Sequence, residues 1–213
     1  MRHSVEELRS CAAGHLEGYL DPQGMRAFHV YDRLGDPDEL TPLDCLAPVL
    51  LSAGMRDKDV VPMFAPVGPA TRLREAMEEL LHDENCRSAN FLQVELDDPH
   101  GPWERIRAVL RATKDVPRIK ASKVTKILHR KRPSLVPVYD REVFRFFVGK
   151  SPSGWKAPDL FWPLLQEDLL AHGDWVAELA EPLRTPDGRP LTLLRAADII
   201  VWEHQVTRCG VST

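Results

Sequence analysis

The sequence predicts a mainly α-helical protein folded as one domain over residues 1–213, on three observations. Apolar residues recur at three- and four-residue spacing, as in Thr71–His82, where Leu73, Met77, Leu80 and Leu81 form one stripe. The 18 prolines fall mostly between apolar segments and mark the ends of short elements. Segments with helical periodicity clearly outnumber those that alternate as strands do, and the 43% apolar content suffices to bury a core in 213 residues.

Taken in order, Val5 to Tyr19 reads as a helix. Ser4 is its N-cap and Glu7, three residues on, completes a capping box. Asp21-Pro22-Gln23-Gly24 is a turn. Ala27 to Leu34 alternates partly and reads as a short strand or an irregular buried segment. Thr41-Pro42 opens a helix through Leu51, with proline at the first helical position, and Gly54 ends it. Residues 55–69, with three prolines, read as a loop. After the 71–82 helix, Phe91 to Leu96 is ambiguous. Pro102 opens a helix from Trp103 to Lys114, whose stripe is Trp103, Ile106, Val109 and Leu110. Val116-Pro117 breaks it, and a basic helix runs from Ser122 to Arg130. Pro133 and Pro137 bracket an extended connector, and Asp140 caps a helix over Arg141–Val148. Residues 149–158 form a Gly/Pro/Ser loop. Helices follow over Asp159–Ala171, Trp175–Ala180 and Leu191–Gln205, with a turn at Thr185–Gly188.

Several function classes are excluded at this level. The 4 cysteines are scattered without a C-x-x-C pair, so neither a zinc ribbon nor a clustered iron–sulfur site is expected, and no metal or other cofactor is assigned. His82 and Cys86 lie four apart but lack a third ligand. The N-terminal residues Met1–Glu7 have no apolar signal core, and the longest apolar run, Cys45–Leu51, is far below the ~20 residues of a membrane span. The expectation is a cytoplasmic protein with free thiols and no membrane contact. Glycine-rich nucleotide loops and a recognisable Ser/His/Asp spacing are absent.

Charge is informative by position. The chain carries −4 overall, yet Trp103–Arg132 holds eleven Lys/Arg against only Glu104 and Asp115, a balance of +9. Such a block points to a localised anion site. On the basic helix Lys123, Lys126 and Arg130 share one face, with Val124, Ile127 and Leu128 turned to the core. The helix start offers unpaired N–H groups and a positive dipole end, and Lys120 and Lys123 add charge there.

The order helix, proline turn, basic helix, extended connector and Asp-capped helix over 103–147 resembles the helix-hairpin-helix DNA glycosylase superfamily. Val116-Pro117-Arg118-Ile119-Lys120-Ala121-Ser122-Lys123 stands where that family has a hairpin of the type L-P-G-V-G-x-K, without its two glycines. Asp140-Arg141-Glu142-Val143-Phe144-Arg145 is similar to the D-x-H-I-F-R segment that carries the family's catalytic aspartate. Thr125–Pro133 with Val136–Asp140 is also similar to a family of uncharacterised actinobacterial proteins. The glycosylase resemblance implies a helical bundle of two lobes around a cleft. It also implies DNA, rather than RNA, as partner, and hydrolysis of an N-glycosidic bond that excises a modified base in repair. Asp140 would be the catalytic carboxylate and Lys123 the closest match to the lysine of bifunctional members, with Lys120 fitting almost as well under another gap placement. Lys120, Lys126, Arg130 and Arg132 would hold the backbone, and Tyr139, Phe144 and Trp155 are the aromatic candidates for a flipped-base pocket.

Two other readings stand beside this one. The same scaffold without catalysis would be a nucleic-acid- or protein-binding module. The basic segment could also dock onto an acidic partner protein. Asp at a helix start is explained by capping alone, and the remaining Trp and Phe residues, including Phe161, Trp162, Trp175 and Trp202, pack C-terminal helices.

Overall fold

The computed structural model describes residues 3–24, 26–33, 35–149 and 156–207. Twelve α-helices and five 3₁₀ turns make up the described fold, with one isolated antiparallel bridge, Arg184 to Pro190. The helices are α1 (Ala12–Leu20), α2 (Phe28–Tyr31), α3 (Pro42–Leu46), α4 (Asp57–Val60), α5 (Pro69–His82), α6 (Glu84–Ser88), α7 (Pro102–Ala112), α8 (Ala121–Lys131), α9 (Arg141–Val148), α10 (Ala157–His172), α11 (Asp174–Ala180) and α12 (Leu193–Thr207).

The strongly periodic segments form as expected. Helix α5 buries Leu73, Met77, Leu80 and Leu81 against α7, which returns Trp103, Ile106, Val109 and Leu110. Pro69 and Pro102 sit in the first turns of these helices, where a missing N–H costs nothing. Helix α12 packs on α1, α9 and α11, and α10 on α9. Trp103 of α7 meets Trp162 of α10 edge-on, ring centroids 4.4 Å apart. A contiguous buried cluster links these layers from Val5 to Val201.

Four expectations change. The segment 5–19 is a 3₁₀ turn, Val5–Leu8, followed by α1. Asp168 of α10 accepts the Ser4 hydroxyl at 2.5 Å and the Val5 N–H at 2.8 Å, which fixes the first turn separately from the helix that follows. The predicted capping box of Ser4 and Glu7 is present. Residues 27–34, expected as a short strand or an irregular buried segment, contain α2, because Phe28 and Tyr31, one turn apart, are both buried. The helix from Pro42 tightens to a 3₁₀ turn over Ala47–Leu51, ended by Ser52 in the left-handed region (φ 58°). Inside 55–69 lie α4 and a 3₁₀ turn, Val61–Phe64, where Asp59 accepts the Arg56 N–H at 3.1 Å.

The largest departure concerns α8. Sequence periodicity suggested a helix with one solvated cationic face. None of its residues is fully exposed, and Lys126 and Lys131 are each only 3% exposed. The proline turn between α7 and α8 keeps one left-handed residue, Arg118 (φ 63°), in a conformation glycine takes without strain. Ile119 beside it is fully buried.

Candidate functional site

The capping role of Asp140 is real and accounts for half of its carboxylate. With extended backbone (φ −114°, ψ 151°), its Oδ1 accepts the Glu142 N–H at 3.0 Å and opens α9. Its Oδ2 is free of the cap and accepts Lys126 Nζ at 2.9 Å. The ammonium also donates to the Leu51 carbonyl at 3.0 Å, just before the left-handed Ser52. Lys126 is therefore held by an aspartate from one side and a backbone oxygen from the other.

This ion pair lines a cavity of about 180 Å³. The opposite wall comes from α12, which supplies Arg195, Asp198 and Trp202, and from Tyr19 of α1. Arg195 is buried and forms a two-point pair with Asp32, Nε to Oδ1 and Nη2 to Oδ2, both at 2.8 Å. Its Nη1 donates to Asp198 Oδ2 at 2.5 Å and its Nη2 to the Tyr19 hydroxyl at 3.1 Å. The other oxygen of Asp198, Oδ1, is buried without a hydrogen-bond partner. Burial, reinforced by the negative charge of Asp140, raises the Asp198 carboxyl to about 6 even though Arg195 opposes the shift. At the rim, Arg26 lies over the Trp202 ring at 5.0 Å and pairs with Glu203 at 2.7 Å. Trp202 meets Tyr19 edge-on at 6.2 Å.

The expected site residues divide sharply. Asp140 and Lys126 come together in the cavity, where Lys126, expected as a backbone contact, is instead the ion-pair partner of the aspartate. Lys123, three residues earlier on α8, instead faces Asp59 at 3.9 Å. Burial, with Arg118 and Arg56 nearby, lowers its ammonium pKa. Lys120 folds back onto the turn, donating to the Thr113 and Val116 carbonyls at 3.0 Å each.

Arg130 and Arg132 are correspondingly corrected from surface cations to internal struts. Arg130 pairs with Asp44 at 2.9 Å and donates to the Tyr31 carbonyl at 2.8 Å. Arg132, 4% exposed, pairs with Asp38 at 2.7 Å and donates to the carbonyls of Pro37, Lys131 and Leu81. Lys131 pairs with Asp44 at 2.8 Å. Asp38, Asp44 and Asp59 thus take up Arg118, Lys123, Arg130, Lys131 and Arg132.

The aromatic candidates also move. Tyr139 and Phe144 are buried and pack edge-on at 5.6 Å in the core, with Phe161 beside both. Neither lines the cavity; Tyr19 and Trp202 do. Trp155 lies outside the described residues. His129 of α8 is also buried, bonded to the Val136 carbonyl at 2.7 Å, and its pKa is pushed down to about 4 by burial.

Sequence reasoning missed Arg195 and Asp198. The signal was there: two charges, three apart, inside the apolar run Leu193–Trp202, where a buried charge requires a partner.

The chain belongs to the family of unknown function DUF6308, whose sequence profile matches residues 12–205. That span includes every residue of the cavity. No curated protein and no solved structure matches the chain.

Proposed function

We propose that the protein is a glycosylase-like hydrolase that receives one nucleotide of DNA in the α8–α9–α12 cavity and cleaves its N-glycosidic bond. The observation that carries this reading is the pair of carboxyls in one small cavity under unlike conditions. Asp140 is ion-paired with Lys126, and Asp198 is buried with one unpartnered oxygen. Environments that separate two carboxyls in this way suit one to base chemistry and the other to acid chemistry. The cavity's 180 Å³ suits a single ring, since a void of ~150 Å³ holds a benzene-sized guest.

In this reading Asp198 donates its proton to the departing base as the bond from sugar C1′ to the base nitrogen breaks, the electron pair leaving with the base. Asp140 orients a water against C1′ and takes its proton as the new C–O bond forms. Charge on the oxocarbenium-like sugar is stabilised by the Asp140 carboxylate. Lys126 holds Asp140 in place, and Tyr19 and Trp202 line the space for the base. Extrusion of the base costs roughly a few kcal/mol.

A non-catalytic binding module is the second reading. It is favoured by Asp140 itself, both of whose oxygens are already engaged. One experiment separates the two. Single- and double-stranded DNA carrying deaminated, oxidised or alkylated bases is incubated with the protein, and released base is measured by mass spectrometry alongside binding across a salt series. Base release that disappears in Asp140→Asn with binding retained supports the enzyme. Binding without release in the native protein supports the module. No binding even at low salt ends both.

A further inference from the structure

We propose that Cys11, His15 and His204 form a metal site whose ligand set, one thiolate and two imidazoles, takes zinc. The site goes beyond the hydrolase reading and stands whether or not that reading holds. It ties α1 to α12, the two helices that close one side of the cavity.

The geometry carries the inference. Cys11 and His15 are four residues apart across the first turn of α1 and so share a face. His204, in the last turn of α12, faces them, and one ligand atom from each residue lies within 4.8 Å of the other two. The two imidazoles meet edge-on with centroids 6.3 Å apart. Zinc bonds of about 2.3 Å to sulfur and 2.0–2.1 Å to nitrogen place tetrahedral ligands roughly 3.3–3.6 Å apart. Closure from the observed separation needs movements of about an ångström, which the half-buried side chains of Cys11 and His204 permit.

The chemistry of the set narrows the ion. A thiolate with two imidazoles excludes the hard cations Mg²⁺ and Ca²⁺, which require oxygen ligands. Cys11 occupies the N-cap of α1 but makes no side-chain cap bond, a role Ser, Thr, Asn or Asp would fill. Its thiol donates a weak bond to the Leu8 carbonyl at 3.4 Å. The His204 ring is oriented by Phe146, edge-on at 6.1 Å, and Phe146 is stacked in turn on His3 at 5.3 Å. His3 pairs in turn with Glu7 at 2.8 Å.

The test is a titration of the full-length, chelator-stripped protein with Co²⁺. The expected result is one equivalent bound, with a near-ultraviolet thiolate-to-cobalt charge-transfer band and intense visible bands of tetrahedral cobalt, all displaced by Zn²⁺. The charge-transfer band is lost in Cys11→Ser and kept in Cys209→Ser, and His204→Ala weakens binding at least ~10-fold. Zinc raises the thermal midpoint of the native protein but not that of Cys11→Ser, whose apo form should match the native far-ultraviolet spectrum because Cys11 is only half-buried. Absence of stoichiometric binding by the native protein overturns the site, as does a band that survives Cys11→Ser or disappears in Cys209→Ser.

Discussion

Lys126 and Asp140 meet through a 2.9 Å ion pair although one lies mid-helix in α8 and the other starts α9. The lysine is 3% exposed and the aspartate side chain 18%, so the pair is shielded from water on one side and opens on the cavity from the other. The same carboxylate thereby serves a helix start, a buried charge and a ligand-sized space. Substitutions at either member should accordingly separate structural from functional roles.

Lys126→Met leaves Asp140 without its counter-charge. Breaking a shielded pair from one side costs about 3 kcal/mol. Lys123→Gln, which gives up only a 3.9 Å contact, should stay within about 0.5 kcal/mol of the native protein. Urea unfolding of both variants checks this. Equal losses would mean that the helix, not the pair, carries the stability.

Asp140→Asn keeps an acceptor for the Glu142 N–H, so α9 should retain its cap. Lys126 loses its counter-charge, so the variant should be less stable by about 3 kcal/mol yet still fold, and if the hydrolase reading is right, base release falls by ~10²-fold or more while binding changes little. A variant as active as the native protein would remove Asp140 from the chemistry.

Among the groups that shape the stability of the protein between pH 4 and 7, His15 and His204 included, His129 and Asp198 act in opposite directions. His129 has a folded value of about 4 against an ordinary 6.5, so acidification protonates the unfolded chain first and stability falls through this window. Asp198, raised to about 6 from 3.8, binds its proton first in the folded state, so acidification there adds stability. Asp198→Asn abolishes the gain and leaves the loss. Its unfolding midpoint should therefore drop more steeply than the native one as pH is lowered from 6.5 to 4. Parallel curves would refute the assignment.

Arg118 combines a left-handed backbone with an ion pair to Asp59 at 2.7 Å. Alanine and glycine both remove the pair, but only glycine relieves the backbone. Arg118→Gly should be more stable than Arg118→Ala by about 1 kcal/mol, read from chemical denaturation midpoints. The opposite order would show that the turn relaxes out of the left-handed region.

Arg195 makes its bidentate bond to Asp32 while also reaching Asp198 and Tyr19. A lysine cannot reproduce that planar fork. Arg195→Lys should lose about 3 kcal/mol in urea unfolding.

The sequence by itself determined the helical class and most helix positions, because periodicity, prolines and caps act over a few residues. The Ser4–Glu7 capping box, the stripe of α5 and the Asp140 cap all form as written. What it left undecided was where the charges go. The +9 segment read as a cationic surface, because its neutralising partners, Asp38, Asp44 and Asp59, lie dozens of residues upstream and nothing local announces the pairing. The cavity was hidden for the same reason. Asp140 and Lys126 are close in sequence, but Tyr19, Arg195, Asp198 and Trp202 join them only when α1 and α12, from opposite ends of the chain, pack together. Short-range sterics and hydrogen bonding specify helices, whereas burial decides whether a charge meets water, a ligand or another charge, and burial exists only once distant segments have been brought into contact.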